Sequence, residues 1–226
     1  MKFTFYGHAT FMIETDGKKI LFDPFITGNP SAAGKVNADD IQADYILVSH
    51  GHGDHVGDLV SIAKRTNAKV ISAYEIISWA EKQGVTNFHP MNFGSFNFEI
   101  GKVRYVPAMH SSVLPDGTYG GNPGGFVVYG KEKTFYYSGD TSLTSEFQMF
   151  QYYGSMDFAI LPVGGNFTMD AADAVIAAKM INCKKIIGVH FDTFGYIKID
   201  HEAAIAMFAK EGIELILPEV GKTIEL

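Results

Sequence analysis

The sequence predicts an α+β fold in which two β-sheets pack together and helices cover them. Three observations predict it. Short β-prone runs outnumber helical stretches along the 226 residues. Tyr45-Ile46-Leu47-Val48 is a continuous apolar run, the pattern of a strand buried on both faces. Helical spacing recurs between strand-like runs in both halves, so each half closes in β/α units. Hydrophobic residues make up 46% and charged residues 19%, which suits a globular chain and speaks against disorder or coiled coil. The length fits one domain over residues 1–226.

Residues 2–6, 10–15 and 18–22 read as strands separated by turns at Gly7-His8 and Asp16-Gly17. The buried strand 45–48 follows. Leu59 to Arg65 has helical spacing, with Asp58 as its cap. Val70-Ile71 begins another strand, and Tyr74 to Gln83 reads as a helix ended by Gly84. Strands are expected at 95–100, 103–107, 125–129 and 134–138, then at 158–161, 186–189 and 214–217. Helices are expected at about 145–153, 171–181 and 201–211, the last with Asp200 as N-cap. Ser111 to Gly125 is the longest irregular segment, and its length hints at function.

Charge and composition exclude several classes. A net charge of -7 offers no basic footprint for nucleic acid. The single Cys183 excludes an intramolecular disulfide and a cysteine-based zinc knuckle, and reads as a small core residue. No apolar run approaches the roughly 18 residues of a membrane span. The first residues alternate like a strand and lack the apolar region of a signal peptide. A cytoplasmic protein is expected, with no membrane or nucleic-acid partner and room for a homo-oligomer.

The eight histidines are the expected source of metal chemistry. His50-Gly51-His52-Gly53-Asp54-His55 follows the buried strand directly. Imidazoles suit zinc and similar divalent ions, and a carboxylate adds neutralising charge. The intervening glycines let neighbouring side chains aim at different points. His110, Asp140 and His190 each follow an expected strand, where loops gather at one end of a sheet. Five His and two Asp suffice for two ions sharing one carboxylate and a water.

His50-x-His52-x-Asp54-His55 followed in order by His110, Asp140 and His190 resembles the metallo-β-lactamase superfamily. That resemblance implies a four-layer αββα sandwich. It implies His50, His52 and His110 at one ion, Asp54, His55 and His190 at the other, and Asp140 as bridge. Gly7-His8-Ala9-Thr10, Phe22-Asp23-Pro24-Phe25, Ser138-Gly139-Asp140-Thr141 and Gly165-Asn166-Phe167-Thr168-Met169 resemble a narrower branch. That branch holds compact, mostly uncharacterised metal-dependent hydrolases related to the ascorbate-6-phosphate lactonase.

The expected activity is hydrolysis of a small ester, lactone or phosphodiester by water activated between two divalent ions. Zinc is expected, with manganese, nickel or iron also compatible with these ligands. Asp54 is expected to ligate and to orient the nucleophile. Asp23 is a candidate partner for one ligand histidine. His8 and Asn166 are candidates for the pocket, and Tyr119 is the expected substrate-facing side chain of the segment 111–125. The alternative is a redox or sensing module that keeps the metal site without hydrolysis. The intact ligand set favours the hydrolase.

Overall fold

The computed structural model describes residues 1–226. Lys2-Phe3-Thr4-Phe5 alternates polar and apolar side chains, so one face of the first strand can enter a core. β1 (Lys2–Gly7), β2 (Thr10–Thr15) and β3 (Lys18–Phe22) form successive antiparallel pairs, with Phe3 opposite Ile13 and Ile13 opposite Ile20. β4 (Tyr45–Leu47) joins β3 in parallel. The connection after β4 carries α1 (Gly53–Val56) and α2 (Leu59–Thr66). β5 (Lys69–Ala73), α3 (Tyr74–Lys82) and β6 (Phe88–Met91) complete this side, with both strands parallel to β4.

The second sheet begins with β7 (Ser95–Phe98), β8 (Gly101–Pro107), β9 (Gly124–Tyr129) and β10 (Thr134–Tyr137), paired antiparallel in that order. β11 (Phe158–Pro162), β12 (Lys185–Val189) and β13 (Glu214–Ile216) add in parallel, with α4 (Ala171–Met180) and α5 (His201–Lys210) in the crossovers. β14 (Thr223–Glu225) returns to the free edge of β1. The orders are β14-β1-β2-β3-β4-β5-β6 and β13-β12-β11-β10-β9-β8-β7.

Strand periodicity sorts the side chains into two cores. Phe135, Tyr137, Phe158 and Ile160 join Phe3, Phe11 and Phe22 in one apolar cluster between the sheets. Tyr136, Ala159 and Leu161 point the other way, into a second cluster with Ala174, Ala178 and Phe208 of α4 and α5. The Phe22 and Tyr137 rings meet edge to face at 5.5 Å across the sheet interface. The result is the αββα sandwich.

Several local expectations change. Residues 145–152 form a 3-10 helix rather than an α-helix. Phe147 and Phe150 are both buried, and their spacing of three matches the 3-10 repeat. β6 and β14 were not expected. Pro90 lowers the strand signal of β6, and β6 lies at a sheet edge, where a missing N–H is tolerated. Asp58 sits at the start of α2, but its side chain caps nothing there. Its Oδ2 instead accepts from Ile26 N at 2.6 Å and Thr27 N at 2.8 Å, pinning the loop after β3. Cys183 is buried in the second cluster, and Asp200 does cap α5 by accepting from Ala203 N at 3.0 Å. No helix is long and apolar enough to cross a membrane.

Candidate metal centre

Strand direction decides where the polar residues meet. β1, β3 and β4 run the same way in one sheet, as do β8, β10, β11 and β12 in the other. The residues just past their C-terminal ends are His8, Asp23, His50, His110, Asp140 and His190. All lie at one end of the sandwich, where open α/β sheets place ligands. α1 supplies Asp54 and His55 from the loop after β4. His50, His52 and His110 bring ligand atoms within 4.8 Å of one another, and so do His8, Asp54, His55 and His190. Asp140 Oδ2 lies 2.9 Å from His190 Nε2, 3.3 Å from His55 Nε2 and 3.7 Å from His110 Nε2. It thus faces both groups.

The loops hold one another in place. Met109 N donates to Thr141 Oγ1 at 3.0 Å, and Ser142 N donates to Met109 O at 3.1 Å, joining the His110 and Asp140 loops. His190 N donates to His8 O at 2.7 Å, linking the two sheets. Gly139 has φ +61°, and a Cβ there would collide with Gly124 O and the Ser49 side chain. Only glycine lets the Asp140 loop pass this close. His8, Asp23 and His190 take positive φ without being glycine, at 57°, 42° and 56°. Such strain persists where surrounding structure over-determines the backbone.

Buried hydrogen bonds set the imidazole tautomers. Asp23 is fully buried and can only accept when ionised. Its Oδ1 takes Ser49 N at 2.7 Å, and its Oδ2 takes Ser49 Oγ at 2.5 Å, Tyr137 Oη at 2.5 Å and His55 Nδ1 at 2.8 Å. His55 therefore carries a proton on Nδ1 and turns Nε2 toward the centre. Ser49 Oγ, having given its proton to Asp23, accepts from His50 Nδ1 at 3.0 Å. His50 Nε2 is thereby left as a lone pair. His52 Nε2 lies 3.3 Å from Ser111 Oγ, which leaves Nδ1 facing inward. His50 Nε2 and His52 Nδ1 are only 2.9 Å apart. At that distance one nitrogen carries a proton, and since His50 Nε2 holds a lone pair, His52 Nδ1 is the donor; a cation can take that proton's place.

This donor set fits a metal. His55 Nε2 and His190 Nδ1 are buried nitrogens without a hydrogen-bond partner. Burial, reinforced by the neighbouring His55 charge, holds His50 well below the usual histidine range. Burial likewise lowers His52 and His110, so these rings are neutral and ready to ligate. His55 differs. Burial disfavours its charge, but Asp140 and Asp23 outweigh that and raise its pKa well above the ordinary value. Its Nε2 faces Asp140 Oδ2 at 3.3 Å, so the two atoms together offer a cation site. Asp140 is held well below the carboxylate range despite burial, by His190 and His55. Asp54 is also lowered against burial, by its hydrogen bond to His8 and the His55 charge.

His8 is buried, not a surface residue. Burial and His190 lower its pKa to about 4, so its ring is neutral. The Asp54 carboxylate at 3.2 Å can only accept, so Nε2 carries the proton and Nδ1 accepts from Thr193 Oγ1 at 3.0 Å. The ring also lies 4.0 Å from that of His190. His8 thus supports the site from behind Asp54.

A cavity of about 720 Å³ opens over this cluster, lined by His52, Asp54, His110, Asp140 and His190 together with Ser111, Phe167, Thr193 and the segment 194–196. Three residues expected there do not line it: Tyr119, Asn166 and His8, which sits behind Asp54. Tyr119 is 61% exposed, and its Oη donates to Asn122 Oδ1 at 2.9 Å, over α3. The segment 111–125 folds back on itself, with Val113 bridged to Tyr119 and Gly120 packed close to Gly51. Only its first residue, Ser111, reaches the cavity. Asn166 is exposed in a left-handed turn with φ 57°, and it is the following Phe167 that faces the cavity. Phe194 and Tyr196 were missed. Nothing in an irregular segment after His190 marks them, although their proximity to that ligand was a usable signal.

Comparison with known proteins identifies the family and the fold. A sequence profile of the β-lactamase superfamily domain matches residues 2–190. A UPF0173 metal-dependent hydrolase of Flavobacterium johnsoniae is 55% identical over 227 aligned positions, covering all of both chains. The structure of a metallo hydrolase from the archaeon Ignicoccus hospitalis superposes with a TM-score of 0.88 at 30% identity, over 99% of this chain and 97% of that one. An isothiocyanate hydrolase from Delia radicum gut bacteria shares the fold, with a TM-score of 0.82 at 20% identity over 100% and 99%. The ligand order, the sandwich and these relatives together place the chain among the metal-dependent hydrolases of the β-lactamase superfamily.

Proposed function

We propose that the centre holds two divalent ions, zinc in the first instance, and uses them to hydrolyse a small substrate with water. His50, His52 and His110 would hold one ion, and Asp54, His55 and His190 the other, with Asp140 between them. The observation that carries this reading is the inward set of lone pairs, fixed from behind by one buried carboxylate, Asp23, acting on His55 directly and on His50 through Ser49. When bound, such ions acidify water and polarise the substrate oxygen.

The chain's own residues supply the rest. Asp54 stays ionised at the cavity wall. His8 donates to its Oδ2 and so fixes the carboxylate, which would ligate an ion or orient the attacking water. Ser111 offers a hydroxyl at the cavity wall for substrate oxygens. The buried floor keeps bulk water from the backs of the ligand rings. No serine or cysteine nucleophile is required: Ser49 is committed to Asp23, and Cys183 is far away in the helix-side core.

Metal-depleted and metal-replenished protein should be assayed on 4-nitrophenyl esters and on bis(4-nitrophenyl) phosphate. Turnover that disappears on chelation and returns with zinc, manganese, nickel or iron is expected. A fully loaded protein silent on the whole panel would favour a redox or sensing role for the same site.

A further inference from the structure

The wall of the cavity carries information about the substrate that the ligands do not. Its lining contains no Lys and no Arg. Its charged side chains are Asp54, Asp140 and histidines, all committed to the metal cluster. The outer wall is aromatic. Phe167 is 48% exposed and Tyr196 is 79% exposed, and their rings meet edge to face at 6.2 Å. Phe194 closes the inner end, its ring centre 5.3 Å from that of His8. Aromatic rings left in water beside a reactive centre are a standing source of binding energy for an apolar ligand.

Both ring-bearing loops are braced. Asp192 N donates to Ile197 O at 2.8 Å, and the Asp192 carboxylate accepts from Ile199 N at 3.1 Å and pairs with His201 Nε2 at 2.7 Å. These contacts fix the turn that presents Tyr196. Gly165 N donates to Met169 O at 3.0 Å, and Met169 N donates to Thr141 O at 2.9 Å, fixing the turn that presents Phe167 to the Asp140 loop. The rings are a built surface beside the centre.

We infer that the substrate is an uncharged ester or lactone whose acyl part carries an aryl or bulky alkyl group, seated against Phe167 and Tyr196. This rests on the hydrolytic reading above. A phosphate or carboxylate placed beyond reach of the ions would meet only aromatic carbon and hydroxyls, with no cation to offset its lost hydration. In the reaction, the oxygen of water bonds to the acyl carbon and the bond from that carbon to the alcohol oxygen breaks. One proton of water ends on the alcohol and the other in solvent. Phe167 and Tyr196 are specificity residues in this account; they touch the acyl group and not the reacting atoms.

The test uses the metal-loaded protein and two readouts. The first compares 4-nitrophenyl phenylacetate with 4-nitrophenyl acetate, with 4-nitrophenyl hydrogen succinate and with bis(4-nitrophenyl) phosphate. The phenylacetate should have the highest kcat/KM. Phe167→Ala and Tyr196→Ala should each lose about tenfold more on phenylacetate than on acetate, chiefly through KM, with metal content unchanged. Phe167→Leu should restore most of the loss. The second readout is binding of phenylacetamide, a neutral probe that needs no turnover, followed by ligand-detected NMR. Binding that weakens in both alanine variants supports the aromatic seat for an uncharged ligand even if no ester is cleaved; in that case the hydrolytic reading fails, and with it the ester. Preference for the succinate or the phosphodiester would overturn the inference. So would phenylacetamide that does not bind, or that binds the variants as well as the native protein.

Discussion

Asp23 shows how much of the site rests on one side chain behind the ligands. It was expected to support one ligand histidine, and its carboxylate reaches two, His55 directly and His50 through Ser49. Asp23→Asn would replace an acceptor by an amide that must donate from one end, so at least one ring would lose its fixed tautomer. Metal affinity should fall about 10–100-fold while the fold persists. Competition titration against a chelator checks this, and native-like affinity would show that the tautomers are set elsewhere. Tyr137→Phe removes one of four donors to the same carboxylate and leaves the ring packing intact. It should cost about 1 kcal/mol in denaturant unfolding, with a smaller loss of metal affinity than Asp23→Asn. The local motif from His50 to His55 was legible because its spacing is local. The double duty of Asp23 was not, because it needs the loops after β3 and β4 to meet, and only their parallel pairing brings them together.

At the scale of elements, the strand ends were the readable part. His110, Asp140 and His190 were found because each follows a β-prone run, and the structure puts all three at the same end of one sheet. Loop conformation was not readable. Tyr119 looked like a pocket residue because it lies in a glycine-rich segment after a ligand, yet the close pass of Gly120 over Gly51 turns that segment toward α3. Phe167 was passed over for Asn166, whose left-handed backbone is what turns Phe167 to the cavity. Two substitutions test the loop supports. Gly139→Ala should destabilise the protein by about 2–3 kcal/mol, because a Cβ meets backbone and the φ is unfavourable. Asp58→Ala should cost about 1–3 kcal/mol, since Ile26 N would be left buried without an acceptor. Helix α2 itself should keep its helicity, because the Asp58 side chain does not cap it. Circular dichroism with urea unfolding separates these outcomes.

The whole molecule is two sheets that share one core and one metal centre. His50, His52, Asp54 and His55 come from the first sheet, and His110, Asp140 and His190 from the second. Metal should therefore act as a clamp across the sandwich. Each ion at a thousandfold excess over its Kd would add about 4 kcal/mol of stability, or roughly 10 °C in Tm for a chain of this size. Chelation should lower Tm by that order and leave a single transition, because the cluster between the sheets draws on both. A metal-free protein with unchanged Tm would mean the centre is not coupled to folding. The sandwich itself was foreseeable from alternating strands and spaced helices, whereas β14 was too short to announce that the last residues close the first sheet. The most direct test of the proposed dinuclear centre is elemental analysis of metal-replete protein beside its Asp140→Ala variant. The account predicts two divalent ions per chain in the native protein and weakened binding of both in the variant, because Asp140 faces both groups. A native stoichiometry that stays at one or below, or a variant that loses only one ion, would contradict it.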